Sequence, residues 1–122
     1  MITGGNATVF VSDLDLAVRF YTETLGLEFF ERYENDWAAV RAGSLIIGLH
    51  PNMDGVPRSG TPGSVTIGLD IQGSLEETID ALEERGVTFN RPIVEDPISP
   101  ARLAFFEDPD GNELYLLELS IR

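Results

Sequence analysis

The chain has 122 residues, 43% of them hydrophobic, with no cysteine, eight basic and 21 acidic side chains, and a net charge of −13. That length builds one compact domain. The lack of cysteine excludes disulfides, thiolate metal sites and cysteine nucleophiles, and so acidic a chain lacks the basic surface that nucleic acid or an anionic membrane requires.

The first segment, "MITGGNATVF", has neither the basic nor the apolar region of a signal peptide. No apolar run reaches the roughly eighteen residues of a membrane span. A cytoplasmic location is expected. Residues 6–11 alternate as a strand, with Ala7, Val9 and Val11 on one side and Asn6, Thr8 and Phe10 on the other. A helix follows, capped by Ser12 or Asp13. Leu14, Ala17, Val18, Tyr21 and Leu25 share one face, and Gly26 ends it. Strands are expected near 28–33, 36–42 and 44–50. Residues 51–63 hold Gly, Pro and Ser without an apolar period and read as a linker.

The second half repeats the first. Residues 64–71 alternate, with Val65, Ile67, Leu69 and Ile71 opposite Ser64, Thr66, Gly68 and Asp70. Ser74 and Glu77 form a capping box ahead of the Leu75, Ile79 and Leu82 stripe, and Gly86 ends that helix. Strands near 87–94, 102–107 and 112–119 complete the pattern. Between the last two, Asp108-Pro109-Asp110-Gly111-Asn112 is a turn sequence. The order is β-α-β-β-β, linker, β-α-β-β-β. The two helix-ending glycines stand sixty residues apart, as do the first strands of the halves. One helix covers only one side of a short sheet, so the halves must pair. The expected fold is therefore α+β: two tandem βαβββ modules (1–50 and 64–122), forming a curved mixed-sheet cleft with the helices outside.

Three stretches, "VSDLDLAVRFYTETLGLEF" (11–29), "LEETIDALEERGVTF" (75–89) and "FFEDPDGNELYLLEL" (105–119), resemble the vicinal oxygen chelate superfamily, the glyoxalase/bleomycin resistance/dioxygenase group. The resemblance implies a homodimer and a small-molecule ligand. Enzymes of that group hold a divalent metal with His, Gln or Glu side chains from the first and last strand of each module. Carried over by position, those sites are Asn6 and Ile47 in the first module, and Thr66 and Tyr115 in the second. A slip of two residues would replace Thr66 by Ser64. Isoleucine offers no donor, and neutral hydroxyls are weak ligands for a divalent cation. No metal and no cofactor are expected.

No catalytic residue is assigned. His50, the one histidine, is of the residue type that serves as a general base, but no triad spacing partners it. Alternation sets it opposite Ile47 and Leu49, facing the helix side or the rim. Asp70 is a displaced donor without spacing support. The acidic residues of the second helix read as a solvated face. The cleft is expected to be lined by Asn6, Thr8, Phe10, Trp37, Ile47, Thr66, Tyr115 and Leu117. Aromatic rings with a few polar groups suit a small organic molecule. Aromatic faces on an acidic protein suit a flat, cationic one. The first reading is a metal-free binding protein resembling bleomycin resistance proteins, which sequesters its ligand. The alternatives are a glyoxalase-type lyase, isomerase or dioxygenase with a divalent metal, and an interaction or regulatory domain whose cleft is filled.

Overall fold

In a computed structural model of the chain, residues 1, 5–52, 58–61, 65–89, 91–95 and 100–119 are described. The elements run β1 (Ala7–Val11), α1 (Leu14–Arg19), a π-helical turn (Phe20–Thr24), β2 (Glu28–Tyr33), β3 (Trp37–Ala42), β4 (Leu45–Pro51), β5 (Thr66–Asp70), α2 (Leu75–Glu84), β6 (Val94–Glu95), β7 (Ala101–Glu107) and β8 (Glu113–Leu119). They form two four-stranded mixed sheets. Sheet A has the order β1-β4-β3-β2 and sheet B the order β5-β8-β7-β6. In each, the first strand lies parallel to the last and the remaining pairs are antiparallel. The expected α+β fold of repeated units is thus what the chain builds.

Alternation decides which face of each strand is wet. Val9, Val11, Ile67 and Leu69 are buried, and so are Ala38, Val40, Ile47 and Leu49 on the inner strands. They join Leu14, Ala17, Tyr21, Leu75 and Leu82 of the helical segments in one continuous core. Each large side chain buried there contributes about 1.5–3 kcal/mol.

The helix ends follow local chemistry. Asp13, rather than Ser12, caps α1 by accepting the Leu16 N–H at 3.1 Å. The Ser74 hydroxyl caps α2 by accepting the Glu77 N–H at 3.2 Å. At the other end of α2, Gly86 N–H donates to Glu83 O and Val87 N–H to Leu82 O, both at 3.0 Å. This is a Schellman closure that needs the positive φ of Gly86.

Two expectations are corrected. The first helix is not α-helical throughout: the Leu25 N–H reaches back five residues to Phe20 O. Within that turn the Thr22 hydroxyl donates to Val18 O at 2.6 Å, competing with the backbone ladder at a four-residue separation. The expected strand at 87–94 is also shorter. Among the described residues only Val94 and Glu95 pair, against Leu103 and Arg102. Val87 is held by the helix closure, and Pro92 has no N–H to give a ladder. Ser64 lies outside the described residues.

The start of α2 is tied to sheet B by charge. Glu118 accepts the Leu75 N–H at 2.8 Å, and Arg102 bridges Glu118 and Glu76 at 2.7 Å each. The hydrogen bonds from Arg102 hold the Glu76 carboxyl down at about 2. A depressed carboxylate contributes stability above its ordinary value of 4.5, lost as pH falls through about 2. Arg102→Gln is therefore expected to flatten the pH dependence of the melting temperature across that window, as measured by helical circular dichroism. An unchanged profile would show that the bridge contributes nothing.

Candidate functional site

Residues paired across neighbouring strands share a face. Thr8 pairs with Gly48 and Phe10 with His50. Gly48 pairs with Ala39, and Tyr33 with Trp37. Thr8, Phe10, Gly48, His50, Trp37 and Tyr33 therefore stand on the face of sheet A away from the helices. On sheet B, Gly68 pairs with Tyr115, Tyr115 with Phe105, and Leu117 with Leu103. Thr66, Gly68, Phe105, Tyr115 and Leu117 share the corresponding face.

Each face seats one aromatic ring on a glycine. A Cβ at Gly48 would lie 2.1 Å from the Trp37 ring, and one at Gly68 would lie 2.4 Å from the Tyr115 ring. Only glycine lets either ring lie flat against its strand. Further rings extend both patches. His50 lies 5.4 Å from Phe10 and 6.4 Å from Trp37, and Phe105 lies 5.3 Å from Tyr115.

Of the residues expected in the site, Asn6, Thr8, Phe10 and Trp37 belong with sheet A, and Thr66, Tyr115 and Leu117 with sheet B. Ile47 does not belong: it is fully buried in the core, on the opposite face of β4 from Gly48 and His50. The register makes Gly48 the counterpart of Tyr115: Gly48 pairs with Thr8 and Tyr115 with Gly68, and Thr8 and Gly68 share the sixty-residue offset of the repeat. His50 moves the other way. It lies on the aromatic face, because Ile47 and Leu49 are the side chains that face the helices.

Polar groups missed in the sequence complete each face. On sheet A, Glu31 accepts the Trp37 indole N–H at 3.3 Å and the Tyr33 hydroxyl at 3.2 Å. The His50 Nδ1 lies 2.7 Å from Pro51 O. A carbonyl only accepts, so Nδ1 carries the proton and Nε2 is the acceptor of the neutral ring. On sheet B, Glu113 accepts the Thr66 hydroxyl at 2.8 Å and pairs with Arg91 at 3.0 Å. The Arg91 guanidinium lies 3.8 Å over the Phe105 ring. Hairpin spacing could have found Glu31 and Tyr33. Arg91 comes from an irregular segment that carries no period.

The two faces are joined through the turn at residues 108–112. Asp108 accepts the Tyr21 hydroxyl, the Asn112 side-chain N–H and the backbone N–H groups of Asp110 and Asn112, each at 2.9 Å. Asn112 also donates to Phe10 O at 3.0 Å. Burial raises the Asp108 carboxyl above its usual value, and these hydrogen bonds oppose the rise.

Three cavities frame the faces. Thr8 and Phe10 line one of about 150 Å³, with Arg58, Ser59, Val65 and Asn112. Arg91, Phe105 and Glu113 line one of about 210 Å³. A larger one, about 500 Å³, lies between the β3–β4 turn and β5. It carries no aromatic ring and, among its lining side chains, the single carboxylate of Asp70.

The family's metal does not fit these donors. Thr8 bonds to Asn6 and Thr66 to Glu113, while Gly48 offers no side chain. Glu113 already faces the cation of Arg91, which would repel a dication. Among the described residues, no three His, Asp or Glu side chains converge. Nor, among them, is any helix long and apolar enough to cross a membrane.

Comparisons with known proteins agree with this architecture. The sequence model of the Glyoxalase/Bleomycin resistance protein/Dioxygenase superfamily matches residues 5–116. YwkD of Bacillus subtilis (strain 168) is 29% identical over 119 residues, 90% of this chain and 91% of that protein. A superfamily member from Sphaerobacter thermophilus DSM 20745 is 31% identical, with a TM-score of 0.78 over 97% of this chain and 98% of that one. The antibiotic binding protein TnmS3 from Streptomyces sp. CB03234 is 27% identical, with a TM-score of 0.77 over 98% of this chain and 98% of its own. The Lactoylglutathione lyase of Agrobacterium tumefaciens, at 18% identity and a TM-score of 0.76 over 97% of this chain and 94% of its own, shares the fold. Two parallel-edged sheets from one repeated unit, joined at the 108–112 turn, place this chain in the glyoxalase/bleomycin resistance protein/dioxygenase superfamily, to which it belongs.

Proposed function

We propose that the protein binds a small, largely aromatic or apolar organic molecule without a metal, and acts in the cytoplasm by sequestering it. The observation that carries this reading is the pair of glycine-seated rings, Trp37 on Gly48 and Tyr115 on Gly68, where the family's enzymes would present metal donors. Flat rings backed by a rigid strand make a stacking surface at low entropic cost. The likeness to an antibiotic binding protein over nearly the whole chain supports the same reading.

The two aromatic-lined cavities, at about 150 and 210 Å³, are smaller than the roughly 300–1,000 Å³ of drug-sized sites. Phe29, Phe30, Tyr33 and Leu119 remain exposed at 51, 43, 61 and 57%. A homodimer that brings one chain's sheet A face against its partner's sheet B face would supply the missing wall.

Trp37 is the chain's one tryptophan, so its emission reports the site directly. Aromatic compounds are expected to quench or shift that emission saturably, and light scattering is expected to give a dimer. Protein purified without chelators or a histidine tag is expected to hold metal at well under one ion per chain, even after soaking in Ni, Zn, Mn and Fe. One ion per chain, or no saturable ligand across a broad aromatic library, would overturn the reading.

A further inference from the structure

Among the described residues, Glu31 is a carboxylate with no ion-pair partner. Its two hydrogen-bond partners, the Trp37 indole N–H and the Tyr33 hydroxyl, are neutral donors. They set its position and leave its negative charge in place. The neighbouring cations of the sheet are engaged elsewhere, Arg32 with Asp15 at 2.8 Å and Arg41 with Glu28 at 2.6 Å. The Tyr33 hydroxyl is itself held in its protonated form by the hydrogen bond to Glu31. Two aromatic rings thus flank one anionic group. Further along the same face, His50 keeps Nε2 as an acceptor by committing Nδ1–H to Pro51 O.

We infer that the sheet A face selects organic cations carrying an ammonium or amidinium group beside an aromatic ring. The cation meets the Glu31 carboxylate and the faces of Trp37 and Tyr33, and His50 Nε2 offers an acceptor to an N–H-bearing group. Charge and rings act together here. A carboxylate in water attracts a cation weakly, and a ring face adds attraction that needs no further desolvated charge. The inference rests on the proposed ligand-binding role of this face and adds a chemical class to it.

The test uses two probes of one shape, 3-phenylpropylammonium and 3-phenylpropanol, titrated against Trp37 emission in the full-length protein and in Glu31→Gln. Glutamine removes the charge and keeps one oxygen to accept the Trp37 indole N–H, while its amide N–H faces the Tyr33 hydroxyl, which can accept, and a melting curve checks that the variant folds. The expected result is that the ammonium binds the native protein about tenfold more tightly than the alcohol. Glu31→Gln should erase that preference and leave the alcohol's affinity in place. General attraction to an acidic protein would survive the variant, which changes the net charge of −13 by one. Equal affinities for the two probes, or a preference that survives Glu31→Gln, would overturn the inference and leave the aromatic binding role standing. If Glu31→Gln shifts the dimer–monomer balance and neither titration, the carboxylate serves a second copy of the chain and the inference falls. If neither probe binds, the cation site is refuted, and an empty aromatic screen would then remove the binding role as well.

Discussion

Asp108→Ala is expected to lower stability by about 3–5 kcal/mol, read as a fall in the urea midpoint with an unchanged slope. Asp108 is 5% exposed. It satisfies four donors at once: Tyr21, the Asn112 side chain, and the backbone N–H groups of Asp110 and Asn112. Alanine strands all of them, each at the cost of an unmade buried hydrogen bond. Asp108→Asn keeps the shape but turns Oδ2, which accepts from both the Tyr21 hydroxyl and the Asn112 amide, into a donor. Its cost should be about 2 kcal/mol, since the hydroxyl can reverse its role. Tyr21→Phe, which removes one bond, should cost about 1 kcal/mol.

The pH dependence gives a second readout. Burial raises the folded-state Asp108 carboxyl, so the folded protein holds that proton more tightly than the unfolded chain. Its stabilising contribution is therefore fully present below the ordinary carboxylate value and is lost as pH rises through the raised one. The deficit of Asp108→Ala relative to the native protein should accordingly widen on acidification. A deficit that narrows would mean that the four hydrogen bonds outweigh burial and depress the carboxyl. A total loss below about 1 kcal/mol would mean that water replaces the carboxylate at the turn.

Gly48→Ala is expected to weaken aromatic ligands by at least about tenfold and to cost about 1–3 kcal/mol of stability. The added methyl falls 2.1 Å from the Trp37 ring, and the ring has to lift off the strand. Lifting it separates the indole N–H from Glu31. The emission of Trp37 should move to longer wavelength as the ring enters water. Gly68→Ala is the matched experiment on the other sheet, with Tyr115 displaced instead. It should weaken the same ligands and leave the free protein's tryptophan emission unchanged. If Gly48→Ala weakens binding and Gly68→Ala does not, sheet A alone forms the site, and the two-faced dimer fails. Native affinity in both variants would remove the rings from the site altogether.

Much of the architecture was legible in local patterns. The alternation of residues 6–11 and 64–71 is a property of each strand's own chain. So are the caps at Asp13 and Ser74, the glycine closures at Gly26 and Gly86, and the turn at residues 108–112. The repeat follows from their equal offset, and the motifs they form carry the family. The local signal failed where a competing hydrogen bond, from a side chain or from the backbone, outbid it. Thr22 takes a helix carbonyl and widens the turn, and Val87 is drawn back into a helix closure, shortening the next strand.

The site was less legible, because alternation sorts a strand into two sides without saying which side the helices cover. Ile47 was therefore set in the site, and His50 opposite it, on the helix side or the rim. Only the burial of Ile47 and Leu49 against the helices decided it. The residue order also could not say that Trp37 would lie on Gly48, or Tyr115 on Gly68. Those contacts exist only once strands pair in register. Glu31 gains its role the same way: a bulge at Phe29–Glu31 and a short turn bring it beneath Trp37. Composition and local periodicity set the acidity, the repeat and the fold of this protein. Pairing between strands distant in sequence, which no local propensity encodes, decided which rings and which carboxylate a ligand would meet.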